Sequence, residues 1–110
     1  MKVYTELVKV YAVCWGSAGQ DDDGNSKAFS GVHGLYTSKE AARKGLVDCK
    51  DEFYDEIVND DFYDEADREV MKADTHVYGS VEDEYFEIDY TIGDTPCEIH
   101  IRIDEVKITD

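Results

Sequence analysis

Residues 1–47 carry five carboxylates against six Lys/Arg, net +1, whereas residues 48–110 carry twenty-two against five, net −17. No other feature limits the fold so strongly. Crowding like charge costs stability in a compact state, so the acids of the second half belong on wet faces, with the apolar residues between them gathered into buried stripes. The chain is nonetheless built to fold. It is 42% apolar, and its eight Tyr, four Phe and one Trp are too many for the disordered class, which is charged but poor in aromatics. At 110 residues it is long enough to bury a core without staples, and one domain, 1–110, is expected.

The strand and helix periods divide the chain. In residues 8–15 the even positions Val8, Val10, Ala12 and Cys14 are apolar, while Tyr11, Val13 and Trp15 fill the other face. That pattern predicts a central strand, buried on much of both sides. Residues 16–26, rich in Gly, Asp and Ser with no apolar period, read as a long turn or loop. A second, antiparallel strand is expected over 28–36, where Gly31 and Gly34 suggest a bulge or a close backbone approach. Thr37-Ser38-Lys39-Glu40 has the form of a capping box with Thr37 as the cap. The helix it opens, about 38–58, places Ala42, Leu46, Cys49, Phe53 and Ile57 on one stripe. Opposite lie Asp48, Asp51, Glu52, Asp55 and Glu56. After a break near Asn59-Asp60, a second helical segment over 61–73 is predicted to turn Phe62, Ala66 and Val70 inward and Asp64, Glu65, Asp67 and Glu69 to water.

Strand alternation returns in 85–92 and 97–104, joined by Gly93-Asp94-Thr95-Pro96. On the wet face of that hairpin Glu87 and Asp89 lie across from Glu98, His100 and Arg102. The expected fold is α+β: a single domain with an antiparallel β-sheet in ββααββ order, covered on one face by helix.

Most chemistries lack their residues. Asp21-Asp22-Asp23-Gly24-Asn25 invites a calcium reading, but setting Gly24 sixth in a twelve-residue loop puts Gly19 first and Ser30 last, where a bidentate Glu is required. A solvated loop is expected there. His33, His76 and His100 show no paired metal spacing, and Ser17, Ser26, Ser30 and Ser38 sit in no nucleophile elbow. Cys14, Cys49 and Cys97 are odd in number and lack a redox or zinc spacing, which suits small buried hydrophobes in a reducing cytoplasm. No catalytic residue, metal site or cofactor is expected. Neither signal peptide nor membrane span is visible, so a soluble cytoplasmic protein is expected. The one basic cluster, Lys39, Arg43 and Lys44, is too small a footprint for direct binding to nucleic acid or to an anionic membrane.

The sign of the charge points the other way. Carboxylates four apart on a helix are separated by about 6 Å of rise, close to the spacing of successive phosphates on a strand. Asp48, Asp51, Glu52, Asp55 and Glu56, continued by Asp60, Asp61, Asp64, Glu65 and Asp67, form a phosphate-like charge line suited to the basic channel of a nucleic-acid-binding protein. Tyr54 and Tyr63 lie among them as candidate aromatic anchors, and Glu82, Asp83 and Glu84 add charge nearby.

Two resemblances bear on this. Val10-Tyr11-Ala12-Val13 followed by Gly34-Leu35-Tyr36-Thr37-Ser38-Lys39-Glu40-Ala41-Ala42, with a terminal strand ending Ile103-Asp104-Glu105-Val106, resembles small uncharacterised bacterial and phage α+β domains. That likeness implies no activity. In size, acidity and tyrosine content the chain is similar to phage-encoded DNA-mimic inhibitors of the antirestriction and anti-CRISPR type, which share no motif from which a residue could be carried over. It implies a non-enzymatic inhibitor acting in the host cytoplasm on a basic DNA/RNA-binding surface of a CRISPR effector, restriction enzyme or similar defence protein. The alternatives are an acidic accessory domain without mimicry and a divalent-cation-binding domain.

Overall fold

A computed structural model describes residues 7–20, 25–61, 63–93 and 95–109. Two strands, β1 (Leu7–Gln20) and β2 (Ser26–Tyr36), precede two helices, α1 (Lys39–Val58) and α2 (Glu65–Asp74). Three strands follow: β3 (His76–Ser80), β4 (Tyr85–Ile92) and β5 (Thr95–Thr109). All pair antiparallel in one sheet of order β2-β1-β5-β4-β3. The α+β class is as expected, but the order is ββααβββ rather than ββααββ. β3 escapes the apolar pattern because His76, Val77, Tyr78 and Gly79 are all exposed. What makes it a strand is the backbone edge that β4 offers, from His76 opposite Asp89 to Ser80 opposite Tyr85.

A second correction concerns residues 16–20, expected in a loop. They continue β1, pairing with both Ser26–Ser30 of β2 and, through Ala18, with β5. Gly16, Ser17, Ala18 and Gly19 carry no apolar period, so backbone pairing on two sides decides their conformation. Asp21, Asp22, Asp23 and Gly24, the heart of the rejected calcium loop, lie outside the described residues, as does Phe62. The expected β2 irregularity is present: Val13 pairs with Gly34 but Cys14 with Val32, leaving His33 as the extra residue of a bulge.

Both helices lie on one sheet face. From α1 come Ala42, Leu46 and Cys49, and from the sheet Val13, Phe86, Ile88, Ile99 and Ile101, which together form the buried core. Even residues of β4 and odd residues of β5 point into it, as their alternation predicts. Leu46, Ile88 and Ile101 are fully buried, each contributing about 1.5–3 kcal/mol. The α1 N-cap is Ser38, one residue later than expected, its Oγ accepting from the Ala41 amide at 3.1 Å. Gly45, buried inside α1, explains itself by close approach: a Cβ there would overlap the Tyr36 phenol.

α2 differs more. Its cap is Asp64, whose carboxylate accepts from the Asp67 amide at 2.8 Å, so the helix begins later than predicted. It buries no residue fully, and Ala66 and Val70 are exposed, not inward. The contact side is turned toward Arg68 and Met71, because the longer Met side chain reaches the gap beside β4. Thr75, which ends the helix, is buried and donates from its hydroxyl to the Met71 carbonyl at 2.6 Å.

Candidate functional site

The stripe that docks α1 on the sheet also dictates what its other side presents. Successive residues advance about 100°, so with Ala42, Leu46, Cys49 and Phe53 turned to the sheet, Asp48, Asp51, Glu52 and Asp55 must point away. All four, and Glu56 beside them, are exposed. Only part of this charge is balanced locally. Lys50 meets Asp51 at 2.8 Å, His33 on the β2 bulge stands 3.6 Å from Glu52, and the Asn59 side chain donates to Asp55 at 2.6 Å. Asp48 and Glu56 have no ion-pair partner among the described residues.

Beyond α1 the acids take several roles. Asp60 and Asp61 are exposed; Arg68 donates to the Asp60 carbonyl at 3.3 Å and stands 3.6 Å from the Asp61 carboxylate, tying the interhelical turn to α2. Asp64 caps α2, and Glu65 and Asp67 are exposed on its first turn, where the helix amides favour negative charge. Glu82 and Asp83 are exposed on the turn between β3 and β4, but Glu84 is engaged within the fold. Its carboxylate meets Lys39 at 2.9 Å and Arg43 at 3.1 Å, and its backbone has φ 57°. Hydrogen bonding from Lys39, then from Arg43, outweighs the opposing effect of burial and holds that carboxyl below the usual range. Of the two tyrosines, Tyr54 is half-buried and packs on the core, while Tyr63, also half-buried, helps line a cavity.

That cavity is a feature the sequence pattern did not expose. It holds about 400 Å³, open to solvent, between the last turns of α1, α2 and the sheet. Trp15, Phe29, Phe53, Tyr63 and Tyr90 supply aromatic walls, Ile57 and Met71 part of the aliphatic lining, and Glu56 and Asp60 the carboxylates. Trp15 and Phe53 meet edge to face with ring centroids 5.2 Å apart. Gly31 gives the indole its seat, since a Cβ there would come within 2.8 Å of the ring. The signal was a lone Trp whose cross-strand neighbour is glycine, legible only once the β1–β2 register is known.

The sheet face away from the helices carries a second constellation. His76, Asp89 and Glu98 are opposite one another across β3, β4 and β5, and Tyr78, Glu87 and His100 form the adjacent row. His100 Nδ1 contacts the Tyr85 hydroxyl and lies 3.2 Å from Glu87, while its Nε2 lies 3.1 Å from Glu98. Tyr85 also donates to Glu87 at 3.1 Å. One oxygen of Asp89 is enclosed without a hydrogen-bond partner; burial first, then the neighbouring Glu87 and Glu98, pushes this carboxyl above its ordinary range. Glu87, Glu98 and His100 place one donor atom each within 4.8 Å of one another, an imidazole-carboxylate set that suits a transition-metal or zinc ion. The cross-strand placement of these groups matches the expectation for the hairpin's wet face.

The cysteines are free thiols. Cys49 is buried in the core, and burial, then the nearby Glu52 charge, raises its pKa to about 11. No helix among the described residues is long and apolar enough to cross a membrane. Comparison with protein-family models, with curated proteins and with solved structures finds no match.

Proposed function

We propose that this protein is a non-enzymatic acidic inhibitor, of the phage-encoded type, that binds a basic DNA/RNA-contacting surface of a host defence protein and excludes its nucleic acid. One observation carries this reading: Asp48, Asp51, Glu52, Asp55 and Glu56 are all exposed along successive turns of one helix, with Lys50 as the only Lys or Arg within ion-pair distance of any of them among the described residues. Neighbouring like charges destabilise an isolated helix by a few tenths of a kcal/mol per pair, roughly. The row is tolerated because the opposite stripe is anchored in the core. A line of charge on a rigid element is pre-organised for a basic groove, and association through it is fast and screened by salt.

Capture from a host lysate on the immobilised protein, eluted with a salt gradient, tests the reading. A nucleic-acid-binding protein released in a salt-dependent manner is expected; recovery of none, or elution indifferent to salt, rules the reading out. The narrower test reverses Asp48, Asp51 and Asp55 to Lys, all three exposed and none of them a helix cap. At least tenfold weaker partner binding is expected, about 1.4 kcal/mol or more.

The Glu87, Glu98 and His100 set favours a second reading, a divalent-cation-binding domain. It requires the thermal midpoint to rise with Zn²⁺ or Mn²⁺ and that rise to vanish in His100→Ala.

A further inference from the structure

We infer that two copies of this chain pair edge to edge along the free stretch of β5, Ile103–Thr109, about a two-fold axis at Val106; the inference is independent of the function proposed above. The sheet leaves this edge open. β1 and β5 stay paired as far as Leu7 opposite Thr109, whereas β4 ends its pairing with β5 at Arg102 and β2 ends its pairing with β1 at Tyr11. Beyond those points the sheet is a two-stranded ribbon, a form with little stability of its own until a third strand joins it. The Ile103 amide donates to the Glu84 carbonyl at 3.3 Å, on the side away from β1. Backbone direction alternates along a strand, so Glu105 and Lys107 turn their amides and carbonyls to that same side, where no strand among the described residues receives them.

Charge selects a second copy as the occupant and fixes the register. Glu105, Val106 and Lys107 are exposed. Antiparallel pairing of this edge with its own copy about Val106 sets Glu105 opposite Lys107 of the second copy, and Lys107 opposite the second copy's Glu105, on one face and at hydrogen-bonding positions. A two-fold at Glu105 or at Lys107 would instead set that residue against itself. Within one copy, Lys107 has no ion-pair partner among the described residues and stands directly opposite Lys9, a like charge that disfavours the strand pair. Lys9 lies 3.6 Å from Glu105, both side chains are exposed, and Lys107 of the second copy approaches the same carboxylate from the other side. The ribbon, residues 7–10 and 103–109, carries Lys9 and Lys107 against Asp104 and Glu105, so it is neutral in a chain of net charge −16 and brings two copies together with little repulsion. The other open edges offer no such match. Among Lys, Arg, Asp and Glu, residues 7–10 of β1 carry only Lys9, β2 only Lys27, and β3 none.

One strand pair is a small interface, so a weak dimer is expected, with a dissociation constant of about 10–500 µM. Sedimentation equilibrium of the purified chain measures it from about 10 µM to about 1 mM, in about 0.15 M NaCl to screen the net charge. Lys107→Glu sets Glu against Glu at both symmetry-related positions and is expected to weaken the dimer at least about tenfold. Lys27→Glu, the same change of charge on the exposed β2 edge, is expected to stay within about twofold of the parent and controls for net charge. Glu105→Lys alone should weaken the dimer as well, yet an equimolar mixture of Glu105→Lys and Lys107→Glu chains restores opposite charges across the axis and should associate more tightly than either variant alone. Circular dichroism checks that each variant folds. A chain that stays monomeric to about 1 mM, a dimer unmoved by Lys107→Glu or weakened equally by Lys27→Glu, or a mixture no tighter than its components overturns the inference. So does open-ended growth beyond the dimer, which a closed two-fold forbids.

Discussion

At the scale of single residues, two side chains show how tertiary context reverses a local rule. Ala is a better helix former than Gly by about 1 kcal/mol, yet Gly45→Ala is expected to destabilise the protein by about 1–3 kcal/mol, because the added methyl overlaps the Tyr36 ring packed on α1. Chemical denaturation read by a shift in midpoint at constant slope checks this. Glu84 provides the electrostatic case. Its folded-state pKa lies below the unfolded value, so the stability it contributes is fully present above about pH 4.5 and is lost as pH falls through the folded value. Glu84→Gln should therefore lower stability at neutral pH, and the gap to the unsubstituted protein should close as the solution is acidified below about pH 4.5. A gap that stays constant down to the most acidic measurement would refute the linkage. Neither role is legible in the sequence: Gly45 interrupts an otherwise good helix pattern without comment, and Glu84 looks like one more acid in Glu82-Asp83-Glu84.

At the scale of elements, the two helices differ in what holds them. α1 has a buried stripe over its twenty residues, and that periodicity is why its extent was readable almost to the residue. α2 has ten residues and none fully buried, so its docking rests on half-buried Arg68 and Met71, the Thr75 hydrogen bond and the Asp64 cap. We expect α2 amides to exchange with solvent faster than those of α1. Asp64→Ala, removing a cap worth about 1 kcal/mol, should accelerate exchange in α2 roughly fivefold while leaving α1 unaffected. Exchange rising equally in both helices would mean that they open as one unit. The inward face of α2 is not legible in the sequence because a ten-residue helix at the rim has an apolar residue on either side, Val70 and Met71. The choice between Val70 and Met71 is made by the gap beside β4, which the helix sequence does not contain.

At the scale of the whole molecule, a net charge of −16 on 110 residues sets up self-repulsion that the core must overcome. Screening that repulsion should stabilise the fold: the thermal midpoint is expected to rise as NaCl increases through the range where the Debye length shrinks from about 30 to about 8 Å. A neutral osmolyte at matched osmolality serves as the control, and a midpoint indifferent to salt would show that the acids are balanced within the fold. The sheet order is the other whole-molecule property. β1 and β5, at opposite ends of the chain, lie side by side at the centre, while β3 closes one edge with four exposed residues out of five. By itself the sequence determined what is periodic or compositional: the α+β class, the buried stripe of α1, the two faces of β4 and β5, and the exposure of the acid row along α1. Tertiary structure alone decided the central pairing of β1 with β5, the edge strand β3, the Glu84 tie to α1, and the cavity that joins Trp15 and Phe29 to Glu56 and Met71. The reason is physical. Solvent exposure of a face is written in the spacing of neighbouring residues, whereas partners far apart in the chain are chosen by backbone edges and packing gaps that exist only after the chain has closed on itself.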